Sequence, residues 1–376
     1  MQGHISLRDV RDLRIEDLLG REQVITDLDA VRKLLSGRRV LVTGAGGSIG
    51  SEIARQVADA DPAALLLLDH DETHLHELCS GLAGPVAEQR TNQILADIRD
   101  RDVILRLFKR YRPEIVFHAA AHKHVPVLEH HPAEAVRTNV LGTANIVDAA
   151  LATEVMHLVF ISTDKAVNPS CVMGASKKLG EQIVLARSPL DGKFSAVRFG
   201  NVLGSRGSVI PTFLRQINGG GPVTVTDPRM TRFFMSIREA VQLVLQAAAI
   251  SESRDIFVLE MGEQVRIVDL AQRMIRLSGR RAGDDVEIKI TGVRAGEKLV
   301  EELHAENEVL EATGHPAIRR LRPHTMHLVE LDDVLEQLAE DAAAGRDDQV
   351  RSTLFRATAN ASSAAEASLA GEGISS

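Results

Sequence analysis

Short apolar runs alternate with segments of helical periodicity in the first half of the chain. The first run, residues 39–43, ends in a glycine-rich turn, and the apolar positions after it have helical spacing until a second run begins at Leu65. Further apolar runs lie at residues 115–118, 158–162 and 194–199. Short continuous apolar runs are typical of strands that are buried on both faces. The pattern therefore predicts an α/β fold: a doubly wound parallel sheet with helices on both faces.

The same pattern divides the chain into parts. Residues 1–37 predict a short helical preface, and residues 38–203 predict a domain of alternating strands and helices. In residues 204–335 the alternation fades, and glycine, proline and arginine indicate a smaller substrate-binding lobe with room for strands that return to the main sheet. Residues 357–376 are mainly alanine, serine and glycine, so we expect a disordered tail there.

Composition narrows the classes of function. The 376 residues carry a formal net charge of −8 with a pI near 6.0, which argues against a general nucleic-acid binder. Two cysteines exclude a disulfide framework and suit a reducing cytoplasm, and the histidines show no recognised metal-ligand spacing, so no metal is expected. No stretch approaches the roughly 18 uninterrupted apolar residues of a membrane span, so we expect a soluble cytoplasmic chain.

The glycine-rich turn is the first candidate site. Backbone N–H groups at such a turn and the dipole of the next helix favour a pyrophosphate. The turn consists of Gly44, Gly46, Gly47, Ser48, Ile49 and Gly50, together with Ala45. Asp69 ends the second predicted strand, where a carboxylate can hydrogen-bond ribose hydroxyls, which favours NAD over NADP; Arg55 and His70 nearby weaken this preference. Asp97 and Ile98 lie where they could recognise the adenine, and Ala119 and Ala120 are small enough for the backbone to run close to the dinucleotide. Ordinary packing is the alternative for all four residues.

A second group of polar residues follows the apolar run at residues 158–162. Thr163, Asp164 and Lys165 place a hydroxyl, an acid and a base in consecutive positions. Met173 and Lys177 are four residues apart, so they share one face of a predicted helix. A thioether cannot exchange a proton as a hydroxyl does, so proton transfer at this site must use other groups.

Five motifs together resemble a known family. They are residues 43–50, 119–126, 162–169, 198–211 and 292–298. In this order they resemble the UDP-N-acetylglucosamine 4,6-dehydratases of bacterial polysaccharide biosynthesis, which are extended short-chain dehydrogenase/reductases with a Rossmann domain. The resemblance covers roughly residues 5–335.

The resemblance implies a reaction and roles for its residues. Hydride leaves C4 of the sugar for NAD, water is lost across C5 and C6, and hydride returns to C6. Asp164 is then the acid at the C6 hydroxyl and Lys165 the base at C5. A lysine acts as a base near neutral pH only when burial or positive charge lowers its pKa. We expect Lys177 and the oxidised nicotinamide to lower the pKa of Lys165.

The methionine points to one branch of the family. Most of the superfamily has a tyrosine four residues before the active-site lysine, and Met173 stands there. This resembles the branch, mostly long and membrane-anchored, that keeps the C5 configuration, so the chain resembles its soluble catalytic portion. The C4 proton then passes through Thr163, with water and Lys177, or Asp164 and Lys165 serve in more than one step. Cys171 replaces an asparagine that is common in the family.

Five residues are candidates for binding a UDP-sugar by position in the motifs: Lys123, Asn201, Arg206, Arg232 and Arg294. Arginine suits diphosphate oxygens because its donors form a fork. A homodimer or higher homo-oligomer, through two helices beside the active-site helix, is usual in the superfamily. Three alternatives remain: a nucleotide-sugar epimerase, a C5-inverting dehydratase and a catalytically silent dinucleotide-binding protein. The Asp164 and Lys165 pair disfavours the epimerase, which needs no acid or base at C5 and C6.

Overall fold

A computed structural model describes residues 27–371, except residues 83, 85–88 and 324, and it describes no side chains from residue 360 onward. The strands are β1 Arg39–Thr43, β2 Ala64–Asp69, β3 Thr91–Leu95, β4 Ile115–His118, β5 His157–Ile161, β6 Lys193–Arg198, β7 Asn201–Leu203, β8 Val223–Val225, β9 Thr231–Arg232, β10 Phe234–Ser236, β11 Asp255–Leu259, β12 Val265–Arg266, β13 Ile288–Ile290, β14 Leu310–Ala312 and β15 Ile318–Leu321. The α-helices are α1 Leu28–Leu35, α2 Ser48–Ala58, α3 Glu72–Gly81, α4 Arg101–Tyr111, α5 Val125–His130, α6 Pro132–Ala135, α7 Gly142–Ala152, α8 Val172–Ala186, α9 Val209–Asn218, α10 Ile237–Ile250, α11 Ile267–Leu277, α12 Leu328–Ala343 and α13 Asp347–Gly371. A π-helical segment, Val136–Leu141, joins α6 to α7, and a 3₁₀ turn, Asp164–Ala166, follows β5.

Within these ranges, nine strands form the main sheet, in the order β14-β15-β11-β6-β5-β4-β1-β2-β3. All pairings from β11 to β3 are parallel, and β15 and β14 add an antiparallel edge. The chain order reverses between β1 and β4, and ligands of such sheets bind in the crevice at the carboxyl ends of the strands there. The predicted doubly wound parallel sheet is confirmed.

Alternate residues of the inner strands face opposite sides of the sheet. Leu41 and Val116 belong to one apolar core, whereas Val40, Val42 and Phe117 belong to the core on the other face. Both faces are therefore covered, which explains why the strands have continuous apolar sequences rather than an alternating pattern.

The second half of the chain contributes to two regions. A smaller apolar core lies between α9, α11 and β8. Strands β11, β14 and β15 belong to the main sheet, and the assignment of residues 204–335 to a substrate-binding lobe stays a prediction. Of the predicted helical preface, the structure describes α1, and residues 1–26 lie outside the described residues.

The expected disorder from Ala357 onward is wrong for the first residues of that segment. Helix α13 continues to Gly371, and Ala357 and Thr358 are buried. Alanine is the strongest helix former, and this helix packs on α8, so local propensity and tertiary contact act together. Residues 372–376 lie outside the described residues.

Candidate active site

The glycine-rich turn brings three backbone segments into contact. Gly44 has φ +65°, and a Cβ there would lie 2.6 Å from the Cα of Ala120, after β4. A Cβ on Gly50 would lie 2.1 Å from the carbonyl oxygen of Gly44, so α2 begins directly against the turn. Side chains at these positions would fill the cradle in which a pyrophosphate meets the helix N-terminus. The turn therefore fits a dinucleotide.

Asp69 lies under the turn. Its Oδ2 accepts a hydrogen bond from the Gly46 N–H at 2.8 Å, and its Oδ1 accepts one from the Asp71 N–H at 3.0 Å. The carboxylate lines a cavity of about 310 Å³ that Asp97, Ile98, Ala119 and Ala120 also line. The structure thus brings the predicted adenosine-binding positions together around one cavity, although their binding role stays a prediction.

A second cavity, of about 600 Å³, continues from the same turn toward the ends of β5 and β6. It shares Gly44 and Gly47 with the first cavity. The predicted catalytic and substrate-binding residues that line it are Thr163, Lys165, Met173, Lys177, Lys123, Asn201 and Arg206. Side chains from several separate segments between residues 123 and 206 therefore share one crevice at the carboxyl edge of the sheet.

Three side-chain oxygen atoms lie close to the Lys165 ammonium group. Its Nζ lies 2.9 Å from Asp164 Oδ1, 3.3 Å from Asn201 Oδ1 and 3.6 Å from Glu301 Oε1. The Thr163 hydroxyl donates to the same Asp164 Oδ1 at 2.8 Å. Asp164 itself is fully buried behind Lys165, and its Oδ2 has no hydrogen-bond partner among the described residues. Asp164 and Lys165 are thus hydrogen-bonded to each other, and of the two Lys165 lines the larger cavity.

The expected lowering of the Lys165 pKa is wrong for this structure. Burial alone would lower the pKa of Lys165, but the charges of Asp164 and Glu301 outweigh burial, and the pKa is raised. The lysine with a depressed pKa is Lys177: its burial lowers the pKa to about 7, with Glu181 opposing. Lys177 Nζ lies 3.9 Å from the centre of the Phe160 ring, a neighbour that gives no full countercharge.

Met173 and Lys177 share one face of α8, as their spacing predicts. Both side chains are buried and line the larger cavity. The first turn of α8 packs against the 3₁₀ turn that follows β5, since a Cβ on Gly174 would lie 2.1 Å from the Lys165 carbonyl oxygen. Loop and helix are therefore placed relative to each other by backbone contact.

Of the five predicted substrate contacts, Lys123, Asn201 and Arg206 line the larger cavity, whereas Arg232 and Arg294 do not. Lys123 Nζ donates to the Arg206 carbonyl oxygen at 2.9 Å, and the Arg206 guanidinium donates to the Gly46 carbonyl oxygen at 3.0 Å, so this pair lies over the glycine-rich turn. Arg232 is buried, with Nη2 3.9 Å from Glu301 Oε1, and it does not line the larger cavity. Arg294 is exposed outside that cavity.

Two features of the site were missed from the sequence. One is Glu301, which contacts both Lys165 and Arg232. The other is a buried network in which Arg198 at the end of β6 binds Glu181 of α8 and Glu308, with 2.7 Å from Nε to Glu181 Oε1 and 2.8 Å from Nη1 to Glu308 Oε2. An arginine that ends an apolar strand signals a buried countercharge, but the partner cannot be read from the sequence.

Curated relatives come from bacterial polysaccharide biosynthesis. The chain is 48% identical over 351 residues to the probable polysaccharide biosynthesis protein EpsC of Bacillus subtilis, covering 93% of this chain and 58% of EpsC. It is 46% identical over 341 residues to the capsular polysaccharide biosynthesis protein CapD of Staphylococcus aureus, covering 90% of this chain and 57% of CapD. The chain therefore spans less than two thirds of the length of these relatives.

A third relative is named for its reaction. The UDP-N-acetylglucosamine 4,6-dehydratase (inverting) of Campylobacter jejuni is 33% identical over 275 residues, covering 71% of this chain and 78% of that enzyme.

Solved structures confirm the fold. Pen from Bacillus thuringiensis superposes with a TM-score of 0.71 at 32% identity, covering 78% of this chain and 89% of Pen. The UDP-glucose 4-epimerase of Thermus thermophilus, in complex with NAD, superposes with a TM-score of 0.58 at 25% identity, covering 69% of this chain and 88% of the epimerase. NAD, the cofactor expected from the sequence, is thus confirmed as a cofactor of this fold.

The sheet order, the glycine-rich cradle and the Lys177 helix define the class: an extended short-chain dehydrogenase/reductase related to nucleotide-sugar dehydratases and epimerases. The chain belongs to the family of polysaccharide biosynthesis proteins whose model matches residues 40–323. In the part of the chain that the structure describes, no helix has the length and apolar character needed to cross a bilayer.

Proposed function

We propose that this protein catalyses the NAD-dependent 4,6-dehydration of UDP-N-acetylglucosamine to UDP-2-acetamido-2,6-dideoxy-hexos-4-ulose, with the C5 configuration retained. The observation that carries the proposal is the hydrogen-bonded Asp164 and Lys165 pair, which adjoins the cavity lined by Lys177 and the glycine-rich turn. An epimerase has no step that uses such a pair. The named dehydratase among the relatives supports the same reaction class.

The cofactor would be held by residues of the first cavity and the turn. Gly44, Gly46 and Gly47 would cradle the pyrophosphate, and Asp69 would bind the adenosine ribose. When bound, NAD accepts hydride from C4 and returns it to C6. Lys177 lines the larger cavity, where the nicotinamide would be held, and its pKa of about 7 allows a change of charge near neutral pH.

The elimination uses one proton that Asp164 and Lys165 share. Transfer of this proton along their 2.9 Å hydrogen bond converts the ion pair into a carboxylic acid and an amine. The amine then removes the C5 proton while the acid protonates the departing C6 hydroxyl, and water leaves. The pair ends as ammonium and carboxylate, which is its resting state.

The remaining protons also balance. After hydride reaches C6, the Lys165 ammonium returns its proton to C5 from the same face, so configuration is kept. The neutral form of Lys177 takes the proton of the C4 hydroxyl in the first step. After Lys165 has protonated C5, this proton returns to the Asp164 and Lys165 pair through water and Thr163, whose hydroxyl lies 2.8 Å from Asp164 Oδ1. Met173 takes no part in proton transfer because a thioether cannot exchange protons.

The first experiment is incubation of purified protein with UDP-N-acetylglucosamine, followed by mass spectrometry. We expect a product lighter by one water without consumption of added NAD. An unchanged mass with altered C4 stereochemistry would identify an epimerase, and no turnover would favour a silent dinucleotide-binding protein. In deuterated water, NMR coupling constants of the labelled product distinguish retention from inversion at C5.

Lys165→Ala tests the shared-proton step. We expect dehydration to fall by about 10²–10⁴-fold, the typical contribution of a positioned acid or base, while NAD remains bound. Lys289→Ala is the matched control because Lys289 is an exposed lysine on β13. Near-normal turnover by Lys165→Ala would remove this lysine from its proposed role.

We also expect a homo-oligomer in solution. The side chains of α8 from Val172 to Leu185 are buried within one chain, in part under α12 and α13. Any interface between copies must therefore use other surfaces. Light scattering measures the state directly.

A further inference from the structure

We propose that Glu301 is a positioning residue of the active site, which holds Lys165 Nζ between its own carboxylate and that of Asp164. The kinetic part of its test rests on the proposed dehydration, and a second part does not. Glu301 lies outside the five sequence motifs, and it reaches the site from the segment between β13 and β14.

Glu301 is buried next to both Lys165 and Arg232. The residue is 3% exposed, and its Oε1 lies 3.6 Å from Lys165 Nζ and 3.9 Å from Arg232 Nη2. Its backbone carbonyl accepts a hydrogen bond from Gln264 Nε2 at 2.9 Å. Its second carboxylate oxygen, Oε2, is buried without a hydrogen-bond partner in the described structure. Burying a carboxylate is costly unless nearby positive charge compensates for it.

The charges around Lys165 show what Glu301 does. Asp164 and Glu301 contribute two negative charges, and Arg232 contributes one positive charge from the β9 side. Cys171 also interacts with the charge of Lys165, but burial raises the pKa of its thiol, so the thiol is neutral. Asp164 and Glu301 are thus the two anions of this buried group, and Arg232 and Lys165 are its two cations, so the four charges sum to zero.

This arrangement affects the proton that Asp164 and Lys165 share. The negative charge of Glu301 favours the ammonium form of Lys165 and keeps it next to the Asp164 carboxylate. The amine forms only when the proton moves to Asp164, so the base at C5 and the acid at C6 appear in the same event. Without Glu301, Lys165 would lose its proton to solvent more readily, and acid and base would be uncoupled.

Glu301→Gln removes the charge and keeps the shape. We expect the limb of the dehydration pH profile on which the rate falls with rising pH, where Lys165 loses the shared proton to solvent, to move down by about one pH unit or more, as for loss of a nearby opposite charge. Glu301→Asp keeps the charge and should return the limb toward its wild-type position, even if kcat stays lower. Glu302→Gln is the matched control, because Glu302 is 48% exposed and pairs with Lys298.

A second measurement needs no substrate. Reductive methylation with ¹³C-formaldehyde labels lysines, and the Lys165 signal is the one missing in Lys165→Arg. We expect this signal to titrate at lower pH in Glu301→Gln than in the wild type or Glu302→Gln. An unchanged titration would overturn the proposal and leave Glu301 as a countercharge for Arg232 alone. A shifted titration in a protein that does not dehydrate the sugar would refute the function and keep the role of Glu301.

Discussion

At the scale of single residues, the neighbouring charges decide how the two buried lysines of the site differ. Lys165 keeps its proton because two carboxylates surround it, whereas Lys177 has the Phe160 ring as a close neighbour and its pKa falls to about 7. The sequence places both lysines beside the expected nicotinamide pocket. Only the arrangement of charges around each one distinguishes them.

The depressed pKa of Lys177 predicts a pH-dependent stability. Between about pH 7 and its unfolded value of 10.5, Lys177 is neutral when folded and charged when unfolded. The unfolded state then binds more protons, so rising pH stabilises the folded protein by at most about 1.4 kcal/mol per pH unit. Below pH 7 both states are charged and the full cost of burial applies.

Lys177→Met removes this titration. Urea unfolding of protein freed of NAD, at several pH values, should show the variant gaining most stability over wild type near pH 6 and little near pH 10. Lys178, which also has a lowered pKa, remains in both proteins and cancels from the difference. Parallel pH dependences for the two proteins would show that Lys177 has an ordinary pKa.

At the scale of elements, the first turn of α8 supports the loop after β5 that contains Asp164 and Lys165. The thiol of Cys171 accepts the Gly174 N–H at 3.3 Å, and Gly174 lies against the Lys165 carbonyl oxygen. Glu129 accepts the Val172 N–H at 2.7 Å and pairs with Arg351 of α13. The start of the helix is thus fixed from both the loop and the C-terminal helix.

Gly174→Ala tests that support. Its methyl group would lie 2.1 Å from the Lys165 carbonyl oxygen, which forces the loop away from the helix. A displacement of about 1 Å can cost roughly 100-fold in rate, so we expect a loss of that order in dehydration with NAD affinity little changed. Gly81→Ala, in a helix with open space around its Cβ, should leave the rate unchanged. Equal rates for both variants would show that the loop tolerates the shift.

At the scale of the whole molecule, Arg198 joins three parts of the chain. Its guanidinium binds Glu181 of α8 and Glu308 of the C-terminal segment, and the Ser162 hydroxyl donates to Glu181 at 2.6 Å. Burial alone would raise the pKa of Glu308, but Arg198 lowers it to about 2. Through these contacts Arg198 of the main sheet is connected to Ser162 at the end of β5, to helix α8, and to the segment between β13 and β14 that also contains Glu301.

Arg198→Met should be strongly destabilising. It leaves Glu181 and Glu308 paired with Lys178, whose Nζ lies 3.8 Å from Glu181 Oε2 and 3.6 Å from Glu308 Oε1. Breaking a buried pair of this kind costs about 3–5 kcal/mol. Urea unfolding should show this loss in the free energy of unfolding. Arg229→Met removes a solvent-screened pair with Asp227 and should change the free energy of unfolding little. A similar small loss for Arg198→Met would mean that the network contributes little to stability.

The sequence by itself determined the sheet, the dinucleotide turn and most of the lining of the larger cavity. These features depend on local patterns: apolar runs for strands, glycine where backbones approach, and spacings of four on a helix. The tertiary structure alone decided that Glu301 faces Lys165, that Arg232 is buried outside the cavity, and that Lys177 rather than Lys165 has the depressed pKa. Such contacts join residues far apart in the chain, and a pKa depends on the charges and burial around a group, which no local pattern records.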